Sequence, residues 1–401
     1  MVDVIPGTNN RAIREVIDGL ERFTPIISFG GASLEKQEQI EALLGQSVSL
    51  LTLIGLNYFL ATGADALWYD PSDFSTLFQD ADGTIPVTAV EQPVGLMLGK
   101  DKGLVRGPEL VFIANWNKYN TSNGTISTSG ETITVTSTNG SFGAIQDIAA
   151  SGPKLLEVSF NINSMLTGGQ NITVYEVGGF TVPLAPAITA AIGKQKFVVN
   201  GSNGVRLYIR SPDTGQSVSV SDFSVREIPG THAYQETSTA RPILKQDEYG
   251  RYYLQPDGTD DQYLLSKPID LNSGLIGWAG STPTKSGALL AAGASSGYLS
   301  GSTSGWSRDN GGTIPVGLAG KARQSVLAIT NGTTNTQFKD SVSGTASVTA
   351  LSTGLGAIDT LLKNPIDSRF YGLIARAGPS TPAEQALVLR YLDSLLGEVS
   401  P

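Results

Sequence analysis

The chain has 401 residues, 47 of them glycine, only 16% charged and none cysteine. That length allows two or three domains, and the composition favours short strands joined by tight turns over a helix-rich fold. The lack of cysteine excludes disulfides and thiolate metal sites. A net charge of −9 leaves nucleic-acid binding dependent on a local basic patch, and the sequence has none.

The N-terminus, Met-Val-Asp-Val-Ile-Pro-Gly, lacks the basic start and apolar run of a signal peptide, so the product is expected in the cytoplasm until it is assembled elsewhere. Behind Asn10 as a cap, Ile13, Val16, Ile17, Leu20 and Phe23 recur at helical spacing and predict a first helix, ended by Thr24-Pro25. Ser33 caps a second predicted helix running towards Gly63, about 29 residues or roughly 43 Å long. In it Ile40, Leu44, Ser47, Leu51, Ile54 and Tyr58 step by four and three, the spacing of a coiled-coil seam. Two readings stay open: a helical hairpin folded on its own domain, or a homo-oligomeric stalk, with a trimer favoured. Val48 to Ala61 is the most apolar stretch, but it is shorter than the roughly 18 residues of a membrane span and holds Ser49, Thr52 and Asn57, so no membrane insertion is expected.

From Trp68 to Gly103, short apolar clusters alternate with Asp-Pro, Asp-Gly and Gln-Pro turns, the pattern of a loop-rich approach to a sandwich. A long block of period-two strands follows. Leu156, Val158, Phe160 and Ile162 alternate with Glu157, Ser159 and Asn161, and Val205, Leu207 and Ile209 with Arg206, Tyr208 and Arg210, so one face is wet. Ile133 and Val135, Ile172 and Val174, and Val218 and Val220 extend the set, and the phase slips near Asp222, where a bulge fits. Tyr252-Tyr253-Leu254-Gln255 and Tyr263-Leu264-Leu265 flank Pro256-Asp257-Gly258, which predicts a sharp turn between paired strands. Further strands are expected at Leu275 to Trp278, Ala288 to Ala292, Val326 to Thr330, Thr336 to Lys339 and Phe370 to Ala375. Thr381 with Glu384 forms a capping box for a last helix with Leu387, Val388, Tyr391, Leu392 and Leu395 on its buried stripe, and Gly397 ends it.

Several of these stretches carry a resemblance. The run Asp257-Gly258-Thr259-Asp260-Asp261-Gln262-Tyr263-Leu264 behind an aromatic strand resembles the opening hairpin of the concanavalin A-like (laminin-G-like) lectin sandwich. Phe370 to Ile374 with Ser380 to Glu384 resembles the closing strand and terminal helix of its bacterial and phage members. Trp68 to Gly103 is similar to the leading segment of phage and prophage virion proteins that end in this domain. There, Gly95-Leu96-Met97-Leu98 with Lys100 runs on to His232-Ala233-Tyr234-Gln235 and Ala240-Arg241-Pro242. Here about 120 residues intervene, the size of an independent domain. Their start, Gly107 to Val111 with Trp116, and their end, Val220 to Ile228, resemble inserted jelly-roll, carbohydrate-binding-like modules, although the usual Asn-Gly-Asp-Phe start is absent.

The expected class is therefore mainly β: two sandwiches, one inserted in the other, behind an N-terminal α-helical region. The divisions are 1–63 for helical attachment and oligomerisation, 64–107 for the leading segment of the lectin-like sandwich, 108–230 for the insert, and 231–401 for the rest of that sandwich with its C-terminal helix. The resemblance implies a virion protein, a tail, collar or head fibre or spike, that binds host surface polysaccharide and meets other virion proteins through its N-terminal helices. A decoration or joining protein without glycan binding is the alternative.

Chemistry is sparse. His232, the single histidine, cannot build a hydrolytic triad alone, and no cofactor, metal or enzymatic activity is expected. Asp257, Asp260 and Asp261 read first as turn formers, with calcium binding and a glycosidase pair as the other readings. Sugar binding needs an aromatic face beside amide and carboxylate groups. Tyr298 and Trp306 with Asp309 and Asn310 have that composition, as do Trp116 and Tyr119 among asparagines.

Overall fold

The computed structural model describes residues 2–4, 11–17, 20–26, 50–61 and most of 65–397; outside it within the last range lie 105, 150–153, 165–171, 181–182, 185–191, 202, 212, 272, 282, 293–295, 303–304, 309–311, 314–322, 332–334, 341–343, 350–356 and 364–365. The chain divides into two units, Met1–Ile54 and Gly55–Pro401.

In the first unit Val2–Val4, Arg11–Ile17 and Leu20–Ile26 form an antiparallel three-stranded sheet. The helix expected behind Asn10 is thus a hairpin. Ile13, Val16, Ile17 and Ile26 are β-branched and lose rotamer freedom in a helix. Between the paired Ile17 and Leu20 stands Asp18-Gly19, a pair preferred in two-residue hairpin connections. Of the second predicted helix, the structure describes Leu50–Ala61 (α1); Ile40, Leu44 and Ser47 lie outside the described residues. α1 buries Leu56, Phe59 and Leu60, while Tyr58 of the expected seam is exposed. Arg376 fixes its end, stacking its guanidinium 4.0 Å from the Phe59 ring and donating from Nη1 to the Phe59 carbonyl at 3.1 Å.

In the second unit two β-sandwiches are built from antiparallel sheets. The outer one pairs a nine-stranded with an eight-stranded sheet around Leu67, Tyr69, Leu254, Tyr263, Ile276, Trp278, Leu361 and Phe370. Both sheets take strands from each side of the insert. Ala66–Tyr69 pairs with Phe370–Ala377, and Leu96–Met97 lies between Leu77–Phe78 and Ala233–Tyr234. Pro382–Leu396 (α2) packs on the eight-stranded sheet, its Val388 and Leu392 lying over Gly277, where a Cβ would come within 2.8 Å of both side chains. Its capping box and its left-handed Gly397 form as expected.

One expectation at this sandwich is corrected. Tyr252–Gln255 and Tyr263–Ile269 do not pair; they belong to opposite sheets. Tyr252–Gln255 instead forms a hairpin with Ile243–Gln246 around Asp247 to Gly250, where the Asp247 side chain accepts from the Tyr249 and Arg251 amides. Pro256 offers no N–H to a ladder, and the Asp257 amide is taken by the Asp261 carboxylate at 2.8 Å, so the turn carries the chain across the core.

The inserted sandwich stacks a four-stranded sheet, in the order Ile172–Glu176, Gly204–Ser211, Phe142–Ala149, Asn117–Tyr119, on a five-stranded one that runs Gly193–Gly201, Lys154–Ser164, Ser217–Glu227, Thr132–Ser137, Gly124–Ser129. The apolar residues of each period-two run, among them Val158, Phe160, Leu207, Ile209 and Val220, fill one core between them. The phase slip is a bulge: Asp222, at φ 55°, and Phe223 oppose the single Phe160.

The sandwiches meet over an apolar seam of Leu96, Leu98, Leu155, Val198 and Ile228. Beside it the outgoing and returning chains cross. The Gly99 amide donates to His232 Nδ1 at 3.0 Å, so the imidazole carries its proton on Nε2, which donates to the Ile228 carbonyl at 2.9 Å. The Thr231 amide donates to Asp101 at 3.1 Å, and Tyr69 donates its hydroxyl to the Thr231 carbonyl at 3.0 Å. Burial acts oppositely on the two titratable groups: it pushes Asp101 up to about 6 and His232 down to about 4.

Folded Asp101 therefore keeps its proton to about pH 6, where an exposed aspartate loses it near 3.8. Its contribution to stability is whole below pH 3.8 and is lost as pH rises through about 6. That of His232 is whole above its ordinary 6.5 and is lost as pH falls through about 4. The Asp101→Asn variant isolates the first term: its unfolding free energy relative to the natural chain should rise by up to about 1.4 kcal/mol per pH unit between pH 4 and 6. Urea titrations across that range measure it, and a difference constant with pH would refute the assignment.

Candidate functional site

Period-two alternation decides what the insert shows to solvent. In Gly204–Ser211 the residues Val205, Leu207 and Ile209 point to the core, so Arg206, Tyr208 and Arg210 point out. Register sets their neighbours: Tyr208 pairs with Ile145 and Thr173, Arg206 with Asp147 and Tyr175, and Gly143 with both Arg210 and Tyr119. Directly paired residues share a face, so Tyr119, Asp147, Tyr175, Arg206 and Tyr208 stand on one outer surface.

The turn after Ile172–Glu176 lays Phe180 on this surface. Its ring centroid lies 4.9 Å from Tyr119, 5.2 Å from Tyr208 and 5.5 Å from Tyr175, and the Arg206 guanidinium sits 4.6 Å from it. Arg206 is aimed by Asp147, to which Nε and Nη2 donate at 2.6 and 2.7 Å. That bidentate bond is the main reason its pKa is raised. A Cβ at Gly143 would come within 2.4 Å of Tyr208 Cε2; its absence lets the Tyr208 ring lie across the strand. Burial pushes the Tyr208 phenol up, while Tyr119 keeps an exposed edge. The surface thus offers aromatic rings and phenolic hydroxyls, a set that can cover the C–H side of a pyranose and bond its hydroxyls, while the mostly buried Arg206 is spent on Asp147, the Phe180 ring and the Gly179 carbonyl.

The two aromatics expected together in the insert are separated. Trp116 packs its ring 5.1 Å from Phe223 at the edge of the core, and its indole nitrogen is buried without a hydrogen-bond partner. Only Tyr119 reaches the outer surface. Tyr175 and Phe180 carry no signal of their own in the sequence, but Tyr208 does, as an aromatic between two arginines on the wet side of an alternating strand.

In the other sandwich Tyr298 lies on Ser296–Ser302 and Trp306 on Gly305–Arg308, neighbouring strands in which Gly301 pairs with Trp306 and Leu299 with Arg308. Asp309 and Asn310 lie outside the described residues.

Two members of the carboxylate trio bond within their own loop. Asp257 accepts from the Thr259 amide at 2.7 Å, and Asp261 from the Asp257 amide. Burial, with the charges of Asp257 and Asp260 added, pushes Asp261 up to about 6. The three groups can bring oxygen atoms within 4.8 Å of one another, a spacing common among exposed acidic groups. His232 has both nitrogens engaged in the buried crossing, so it is not placed as a general base. No helix among the described residues is long and apolar enough to cross a membrane.

No protein-family model matches the chain, and no curated protein is similar to it.

Proposed function

We propose that this protein is a non-enzymatic, glycan-binding component of a bacteriophage particle, and that the outer face of the insert's four-stranded sheet is what contacts host surface polysaccharide. The observation that carries this reading is the aromatic cluster in which the exposed Tyr119 stands with the half-buried Tyr175, Phe180 and Tyr208, ordered by Arg206. The phage assignment rests on the resemblance carried by Trp68 to Gly103 and by the C-terminal strand and helix. The N-terminal unit is then the part that meets other particle proteins, and repetition of the head in an oligomer raises the avidity of weak single sites.

A glycan array probed with the whole protein tests the reading. Wild type should bind, and Tyr119→Ala should weaken the best hit by up to about tenfold, the loss of one aromatic face. The surface also favours a second reading, a structural protein without glycan binding. In that case Phe180, enclosed by Tyr119, Tyr175, Tyr208 and Arg206, serves only to hold its turn against the sheet. A wild-type array at background, with Phe180→Ala lowering only thermal stability, would establish it.

A further inference from the structure

A second site lies where the sandwiches meet. Next to the apolar seam is a cleft of about 430 Å³, walled by Leu155, Val198 and Asn200 of the insert, Tyr234 and Glu236 of the outer sandwich, and Asp82 of the leading segment. Its two sides are tied by the Val198 amide, which donates to the Asp82 carbonyl at 2.5 Å.

The polar groups of this cleft are nearly all acceptors. Asn200 bonds the Tyr234 hydroxyl, and its Oδ1 is closed to solvent. The half-buried Asp82 carboxylate accepts no hydrogen bond from the described residues; burial, helped by the charges of Asp80 and Glu236, raises its pKa. Asp80 is occupied by Thr84 and the Ile85 amide. Arg241 is the one cation among the described lining residues, and its Nε, Nη1 and Nη2 already donate to the carbonyls of Gln235, Gln79 and Glu236 at 2.9, 3.0 and 2.7 Å. Pro183 and Leu184, which also line it, bring no charge. Three carboxylates against one guanidinium leave the cleft negative and short of donors.

A ligand that fits must supply donors and positive charge, and must present C–H surface to Leu155, Val198 and the Tyr234 ring. Among sugar units, a hexosamine with a free ammonium meets all three requirements, and the cleft has room for one ring. We propose that this cleft binds an amino sugar in its ammonium form, with Asp82 and Glu236 receiving the ammonium and the Tyr234 ring covering its C–H face. The inference rests on the glycan reading and adds a site and a sugar class to it.

Ligand-observed NMR on the whole protein at pH 7, with glucosamine, glucose, N-acetylglucosamine and calcium chloride as separate probes, tests it. Glucosamine should bind at least about tenfold more tightly than glucose or N-acetylglucosamine, and Asp82→Asn and the exposed Glu236→Gln should each weaken it by about tenfold, as expected for the loss of a charge-assisted hydrogen bond. Tyr119→Ala should leave glucosamine binding unchanged. Equal affinity for glucosamine and glucose overturns the proposal, as does calcium that competes with glucosamine and loses its own binding in Asp82→Asn. Should an array signal depend on Tyr119 while glucosamine binding ignores Asp82 and Glu236, the cleft proposal fails and the aromatic face stands. Asp82-dependent glucosamine binding with a silent array does the reverse.

Discussion

Replacing Trp68 by alanine should lower the unfolding free energy by about 3–5 kcal/mol, the range for truncating a buried aromatic. Trp68 is almost fully buried and meets the Tyr391 ring edge-on, with centroids 5.6 Å apart. Its indole N–H donates to the Tyr391 hydroxyl at 3.0 Å, which in turn donates to Asp70 at 2.7 Å. Lys100 closes the group, with Nζ 2.8 Å from Asp73, 3.4 Å from Asp70 and 5.0 Å from the centre of the Trp68 ring. Residues from before the insert are thereby joined to α2, more than three hundred positions later. Tyr391→Phe separates polar from apolar contributions: it keeps the ring, leaves the indole N–H unpaired and should cost about 1–3 kcal/mol. Denaturant titration of both variants reads these values, and a loss below about 1 kcal/mol for Trp68→Ala would show that the leading segment is not part of the folded core.

The second large effect is expected at the crossing. A Cβ on Gly99 would lie 2.0 Å from the Thr231 carbonyl oxygen and 2.7 Å from Asp101 Oδ1. The first obstacle is backbone, so the outgoing and returning chains must move apart, breaking the Gly99 amide's bond to His232. Gly99→Ala should cost about 3 kcal/mol, the upper end for overpacking a buried site. Gly103→Ala, a few residues on, is the control: its φ of +67° is left-handed but nothing lies within 4 Å, so only about 1 kcal/mol of backbone strain is expected. Thermal melts compare the two, and amide exchange at Gly99 and Thr231 should accelerate only in the first. Equal losses would mean that the crossing is looser than its distances imply.

The β architecture was legible where side chains alternate against a single core. Val205, Leu207 and Ile209 mark a strand and its inner face without further information, and the bulge shows in the sequence because Asp222 falls where an apolar residue is due. The capping box at Thr381 and Glu384 is local chemistry and was equally plain. Two failures came from judging spacing without asking which backbone it suits. Ile13, Val16 and Ile17 fit a helical stripe, but β-branched residues beside Asp18-Gly19 fit a hairpin better. Tyr252–Gln255 and Tyr263–Ile269 look like partners because a turn stands between them, yet a tight turn can also carry a chain between opposite sheets. The aromatic face was half visible, through Tyr119 and Tyr208. Phe180 joins them through a turn whose position no periodicity encodes, and the cleft depends on residues more than one hundred and fifty positions apart that only the docked sandwiches bring together.

The Gly107 amide donates to the Glu227 carbonyl at 2.9 Å, and the Glu109 side chain accepts from the Val225 amide at 2.7 Å, so the guest sandwich starts and finishes along one short border. The host pairings of Ala66–Tyr69 with Phe370–Ala377 and of Leu96–Met97 with Ala233–Tyr234 use no residue of the guest, so a module with similarly adjoining ends and an apolar patch to match Leu96 and Leu98 would leave them in place. A change of guest would thus alter the outer face of the insert without altering the sheets that carry it.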